Sequence, residues 1–132
     1  MSVRSTDLPS PSLAATQVLD LGGLTMRSQR TGDTHVLMLF GELDMASARA
    51  VEAELTSIEA AARLARLVID LRGVTFIDSS GLRLVLEATR RAKAAAHRLA
   101  LLRPPDRVLR AFQISGIDTL LPFEPVSAEA DA

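Results

Sequence analysis

The residues best equipped for chemistry stand together at Asp78-Ser79-Ser80-Gly81, with Arg83 one helical turn further on. Asp and Ser are favoured helix caps and Gly eases a tight turn, so the run can start a helix. A cap needs one such side chain, whereas this run offers an acid and two hydroxyls. Nucleophilic catalysis fits it poorly. The nucleophile elbow requires G-x-S-x-G, and neither Ser79 nor Ser80 has a glycine two residues before it. A catalytic serine also needs a base. His35, beside a turn, and His97, after a helical stretch, both read as solvated surface residues. Glu42, Asp44 and Asp78 can be paired as acid–base carboxylates only by force, since no partner chemistry accompanies them. Gly22-Gly23, Gly41, Gly73 and Gly81 spell neither a P-loop nor a dinucleotide fingerprint. Without cysteine, and with two histidines far apart, a metal site is unsupported. The expectation is a binding module with no cofactor and no catalytic activity of its own.

Composition narrows the partners. At 132 residues, 48% hydrophobic and 23% charged, the chain reads as one ordinary globular domain with a real core. A net charge of −1 with scattered basic residues gives no electrostatic case for nucleic acid, and four Phe as the only aromatics make no base-stacking platform. No apolar run approaches the ~18 residues of a membrane span, and no apolar signal segment follows Arg4. A cytoplasmic protein, with no membrane partner, is expected.

The elements that must position the loop are set by periodicity. Residues 1–21 mix Ser, Pro, Thr and Ala without a clear period and read as a flexible extension, although Leu13 to Leu21 has some helical character. Leu24 to Arg30 and Thr34 to Phe40, joined by Thr31-Gly32-Asp33, read as an antiparallel hairpin. Asp44 suits an N-cap for a helix from Met45 to about Leu64, with Ala48, Val51, Leu55, Ile58 and Ala62 inside. Leu67 to Leu71 is a buried strand, followed by a turn at Arg72-Gly73 and a small apolar knot of Val74, Phe76 and Ile77. A helix from Ser79 or Ser80 to Ala96 is expected to turn Leu82, Val85, Leu86, Thr89, Ala92 and Ala96 inward, with Glu87 and Arg91 as an exposed i,i+4 pair. Arg98 to Arg103 is a short strand. After Pro104-Pro105, Val108, Leu109 and Phe112 mark a helix stopped at Gly116, and Leu120, Leu121 and Phe123 suggest a last edge strand. The fold class is therefore α/β: a single domain over residues 22–126, a mixed β-sheet with an antiparallel opening hairpin and then parallel strands, and helices packed mainly on one face. Residues 127–132 are expected to form a loose C-terminal tail.

Two stretches carry a family resemblance. F-G-E-L-D-M-A-S-A (Phe40 to Ala48) and L-V-I-D-L-R-G-V-T-F-I-D-S-S-G-L (Leu67 to Leu82), together with the spacing around Ser115-Gly116-Ile117, resemble the STAS domain of bacterial anti-sigma factor antagonists. The resemblance covers about Leu24 to Phe123. It implies a partner switch. Such proteins bind an anti-sigma factor that is also a serine kinase of the histidine-kinase-like ATPase fold, and so release a sigma factor. The kinase phosphorylates the antagonist, which lets go, and a metal-dependent serine phosphatase resets it. The family's acceptor directly follows the aspartate, which implies Ser79, with Ser80 as second choice. The partner surface would comprise Glu42, Asp44, Asp78, Ser79, Ser80, Gly81, Leu82 and Arg83, on a monomer or weak dimer. Gly81, having no Cβ, is expected to let the partner approach the serine loop closely. A ligand-sensing or scaffold STAS module that is not phosphorylated is the alternative.

Overall fold

In a computed structural model of the chain, which describes residues 17–125, the elements run β1 (Gln17–Asp20), β2 (Leu24–Thr31), β3 (Thr34–Leu43), α1 (Met45–Ala60), β4 (Arg66–Ile77), α2 (Ser79–Ala95), β5 (Arg98–Leu102) and α3 (Asp106–Ile114), then a 3-10 turn over Asp118–Leu120. The five strands stand in the sheet in sequence order. β1, β2 and β3 pair antiparallel, and β3, β4 and β5 pair parallel. Both parallel crossovers step the same way across the sheet. The common handedness of such crossovers then lays α1 and α2 on one face. There Leu24 and Met26, Leu37 and Leu39, Leu67, Ile69 and Leu71, and Leu101 meet Val51 and Leu55, Leu84 and Val85, and Val108 and Phe112 in one buried cluster. Phe123 closes its end, stacking edge-on against Phe112 at 5.4 Å.

Several expectations change. Residues 17–20, expected within the flexible extension, form an edge strand paired with β2; residues 1–16 and the tail 127–132 lie outside the described residues. α1 stops at Ala60, short of Leu64, where the chain turns extended at Ala61 and left-handed at Arg63. Arg30 holds that exit by donating to the Ala62 carbonyl at 3.0 Å. The last edge strand is reduced to one bridge between Leu101 and Phe123.

The turn expected at Arg72-Gly73 is instead part of one twelve-residue strand. The Asp70 carboxylate accepts from the Arg72 backbone N–H at 3.0 Å and also grips its guanidinium at 3.0 and 2.9 Å. That local bond coincides with an extra residue in β4, since Met38 pairs with Asp70 but Phe40 with Gly73. A second extra residue separates the pairs Gly41–Val74 and Glu42–Phe76. Each insertion reverses the parity of the strand residues after it. Phe76 therefore leaves the expected apolar knot and is 50% exposed, while Val74 and Ile77 remain buried.

α2 is rotated relative to the expected stripe. Its inner residues are Gly81, Leu84, Val85, Ala88, Thr89 and Ala92; Leu82 and Leu86 flank the core and Ala96 is exposed. The expected Glu87–Arg91 pair is not made. Glu87 bonds Arg90 at 3.0 Å, and Arg91 reaches across to Glu52 and Glu59 of α1, each at 2.8 Å. Neither histidine is a solvated surface residue. His97 is buried with no partner for Nε2 among the described residues, and His35 is half-buried against the Ser28 hydroxyl.

Two measurements test this packing. The Glu59 side chain is only 14% exposed and loses its counter-charge in Arg91→Met. Urea unfolding is expected to show a loss above the ~0–1 kcal/mol of a surface pair and below the ~3–5 kcal/mol of a fully buried one. Burial, then the nearby Arg30, holds the His35 pKa below its ordinary value, with Glu54 opposing. Its Nδ1 is buried without a partner among the described residues, so the imidazolium would leave one N–H unbonded there. The unfolded chain therefore takes up the proton first as pH falls below about 6.5. The stability tied to neutral His35 is complete above that pH and declines below it. The fall in urea midpoint between pH 7.5 and 5.5 should be steeper in the wild type than in His35→Gln.

Candidate functional site

Leu43 and Ile77, the last residues of β3 and β4, are register partners. The next residue of each strand is an aspartate, so Asp44 and Asp78 start their helices side by side at the carboxyl end of the parallel strands. In α/β sheets, that end is where ligands and partners are met. Asp44 caps α1: its Oδ1 accepts from the N–H groups of Ala46 and Ser47 at 3.0 and 3.1 Å. Ser47 completes a capping box by accepting from the Asp44 N–H at 3.1 Å, and its hydroxyl donates to the Glu42 carbonyl at 2.9 Å.

Asp78 does more. Its Oδ1 accepts from Ser80 and Gly81 N–H at 2.8 and 3.1 Å, which caps α2. Its Oδ2 accepts from the Met45 N–H at 3.1 Å, at the first turn of α1. One carboxylate thus ties together the first turns of two helices. The Asp78 N–H in turn donates to the Leu43 carbonyl at 3.3 Å.

This cap decides where the serines go. Asp78 itself is the N-cap and Ser79 the first helical residue, at the earlier of the two expected helix starts. Ser79 is exposed and Ser80 half-buried. Among the described residues neither hydroxyl makes a hydrogen bond. Asp78 already occupies the backbone N–H groups of Ser80 and Gly81. No histidine is near: both lie at the far end of the sheet, where His35 pairs with Leu67 and Arg98 follows His97. The 17 residues of α2 span roughly 25 Å between the serines and that end.

The structure brings Glu42, Asp44, Asp78, Ser79, Ser80 and Arg83 to one end of the molecule, but not into one role. Glu42, Ser79 and Arg83 are exposed. Leu82 lies partly packed against the core. Gly81 is buried, and its close approach is to this chain rather than to a partner. A Cβ at position 81 would stand 2.6 Å from both the Leu43 carbonyl oxygen and Ile77 Cγ1. Two surface residues escaped the sequence reading: Met45, 73% exposed, and Phe76, 50% exposed, flank the two aspartates. Met45 was legible as the residue after a cap. Phe76 was not, because its orientation depends on the second bulge of β4.

Known proteins resemble this chain in sequence and fold. Residues 26–122 match the family described as "Mlab, STAS domain". An anti-sigma F factor antagonist of Lysinibacillus sphaericus is 36% identical over 87 residues, which is 66% of this chain and 74% of that protein. The structure of the anti-sigma factor antagonist SpoIIAA in its unphosphorylated form is similar with a TM-score of 0.64 and 28% identity, over 89% of this chain and 92% of that one. The Bacillus cell fate determinant SpoIIAA in the phosphorylated form gives 0.59 and 27%, over 89% and 96%.

The buried position of Gly81 makes a sharp expectation. Gly81→Val inserts a branched side chain where Leu43 and Ile77 already stand, and overpacking of this kind costs about 1–3 kcal/mol or more. The variant should unfold at markedly lower urea concentration than the wild type. An unchanged midpoint would mean that the first turn of α2 can lift from the sheet.

Proposed function

The chain belongs to the STAS-domain family of anti-sigma factor antagonists, and from that footing we propose that it binds an anti-sigma factor serine kinase at the Asp44–Asp78 end and is switched off by phosphorylation of Ser79. The family acts by binding, not by catalysis. The kinase has the histidine-kinase-like ATPase fold, its sequestration frees a sigma factor, and a metal-dependent serine phosphatase resets the cycle. The observation that carries this reading is the state of Ser79: an exposed hydroxyl with no hydrogen bond among the described residues, directly after the aspartate that caps α2 and bonds the first turn of α1.

The physical consequences support a switch at this position. A phosphate adds about −1.5 to −2 of charge. Because Asp78, not Ser79, holds the helix ends, the new charge breaks no structural bond. It stands beside two carboxylates on a surface where Glu42, Met45 and Phe76 are also exposed. An apolar anchor flanked by charge suits a partner surface. Burying an added, unpaired charge in that contact is costly, so affinity falls while the fold persists.

Reconstitution with the anti-sigma kinase and labelled ATP tests the proposal. One phosphate should appear on Ser79. Ser79→Ala should abolish labelling, keep kinase binding, and change stability by no more than about 0.5 kcal/mol, as expected of a surface position. Ser80→Ala should still be labelled, and Ser79→Asp should lose the kinase. Normal labelling of Ser79→Ala would overturn the assignment, and equal kinase capture by wild type and Ser79→Asp would favour a ligand-sensing or scaffold module.

A further inference from the structure

Between α1 and α2, beginning at Ser80, lies a groove of about 300 Å³ bordered by Arg49 and Glu52 on one side and by Arg83, Glu87 and Arg91 on the other. Its charges divide into two sets. Arg91 is neutralised by Glu52 and Glu59, and Glu87 is bonded to Arg90. Arg49 and Arg83 are exposed and have no ion pair or hydrogen bond among the described residues. Ser80 and Arg83, three residues apart on α2, share a helix face, and Arg49 confronts them from α1. Two unpaired guanidiniums and an unbonded hydroxyl thus line the same groove.

The backbone cannot neutralise an anion here. Asp78 already takes the N–H groups of Ser80 and Gly81, and its carboxylate adds charge of the wrong sign. A phosphoryl group on Ser80 must therefore find its counter-charge in side chains. Guanidinium forks match phosphate oxygens well, and charge-assisted bonds of this type are strong. We infer that the α1–α2 groove is a phosphate-binding site for phosphorylated Ser80, with Arg49 and Arg83 holding the group between the two helices.

The inference rests on the loop being a phosphoacceptor and assigns its second hydroxyl to a serine kinase other than the anti-sigma kinase, whose single phosphate goes to Ser79. In the transfer, the Ser80 Oγ–P bond forms as the bridging bond to the γ-phosphorus of ATP breaks; ADP departs, and the hydroxyl proton passes to a base of the kinase. A phosphate on Ser79 stays on the outer surface. A phosphate on Ser80 turns inward and fastens α1 to α2, so it alters the rigidity of the helix pair rather than the charge of the docking surface.

The full chain carrying phosphoserine installed during synthesis, at position 80 or at position 79, tests this without any kinase. The phosphate is titrated by phosphorus NMR in wild-type and Arg49→Gln backgrounds. Free phosphoserine has a second pKa of about 6. In the position-80 protein, Arg49→Gln should raise the phosphate pKa by about one unit or more, while the position-79 protein should show no change. The thermal midpoint should rise on phosphorylation at position 80 and lose that rise in Arg49→Gln, whose unmodified form should melt like the wild type. Identical titration at position 80 with and without Arg49 would overturn the inference. Failure of a kinase to label Ser79 bears only on the proposed function and leaves this measurement standing.

Discussion

The Asp78 carboxylate is the bond on which the functional end of the molecule depends. Parallel pairing of β3 with β4 sets Leu43 beside Ile77, so the two strand-to-helix junctions emerge together. Each brings a helix whose first N–H groups lack intrahelical partners. Asp44 satisfies its own helix. Asp78 satisfies the start of α2 with one oxygen and, with the other, accepts from Met45 at the start of α1. Because the carboxylate is shared, the junctions cannot separate without exposing unpaired groups on both helices. Gly81 makes this possible, since any side chain there would push the first turn of α2 away from the Leu43 carbonyl.

That arrangement also explains how α2 is rotated, and so which part of the site was legible in the sequence. Periodicity located the helix within a residue or two, and alternation of strands with helices yielded the mixed sheet and the one-sided helical layer. It did not fix the angle of α2. The expected stripe through Leu82 and Leu86 and the observed one through Leu84 and Ala88 are both apolar. Contact of Gly81 with Leu43 and Ile77 selects between them. The same long-range origin hides the other misreadings. Arg91 looked like the partner of Glu87 because the two are four apart, yet α1 supplies Glu52 and Glu59 at closer geometry. Phe76 looked buried because a bulge, not composition, decides its parity. The edge strand Gln17–Asp20 has no periodic signature of its own and exists through pairing with β2.

The acids of the loop were legible as helix caps, and the structure binds both to backbone N–H groups. What the sequence did not show is that Asp78 reaches the neighbouring helix as well as its own. The groups left over for chemistry are the two serine hydroxyls, and they differ by one position on a helix. A step of about 100° per residue sends Ser79 outward and turns Ser80 toward α1. One motif therefore presents two hydroxyls to two different environments. Their difference is set by the helix and not by either residue's own chemistry.

A switch built on such a loop works best if its frame does not move. Here the frame is held from several directions. The N-termini of α1 and α2 share Asp78, their bodies are joined further along by Arg91 with Glu52 and Glu59, and their inner faces share one core with the sheet. A charge added on the outer surface then has no soft element to displace. Its effect is confined to whatever docks there, in proportion to the desolvation that docking demands. Under the proposed switch, a rigid frame would turn a local charge into a change of affinity, with no conformational relay between the modified residue and the surface that reads it.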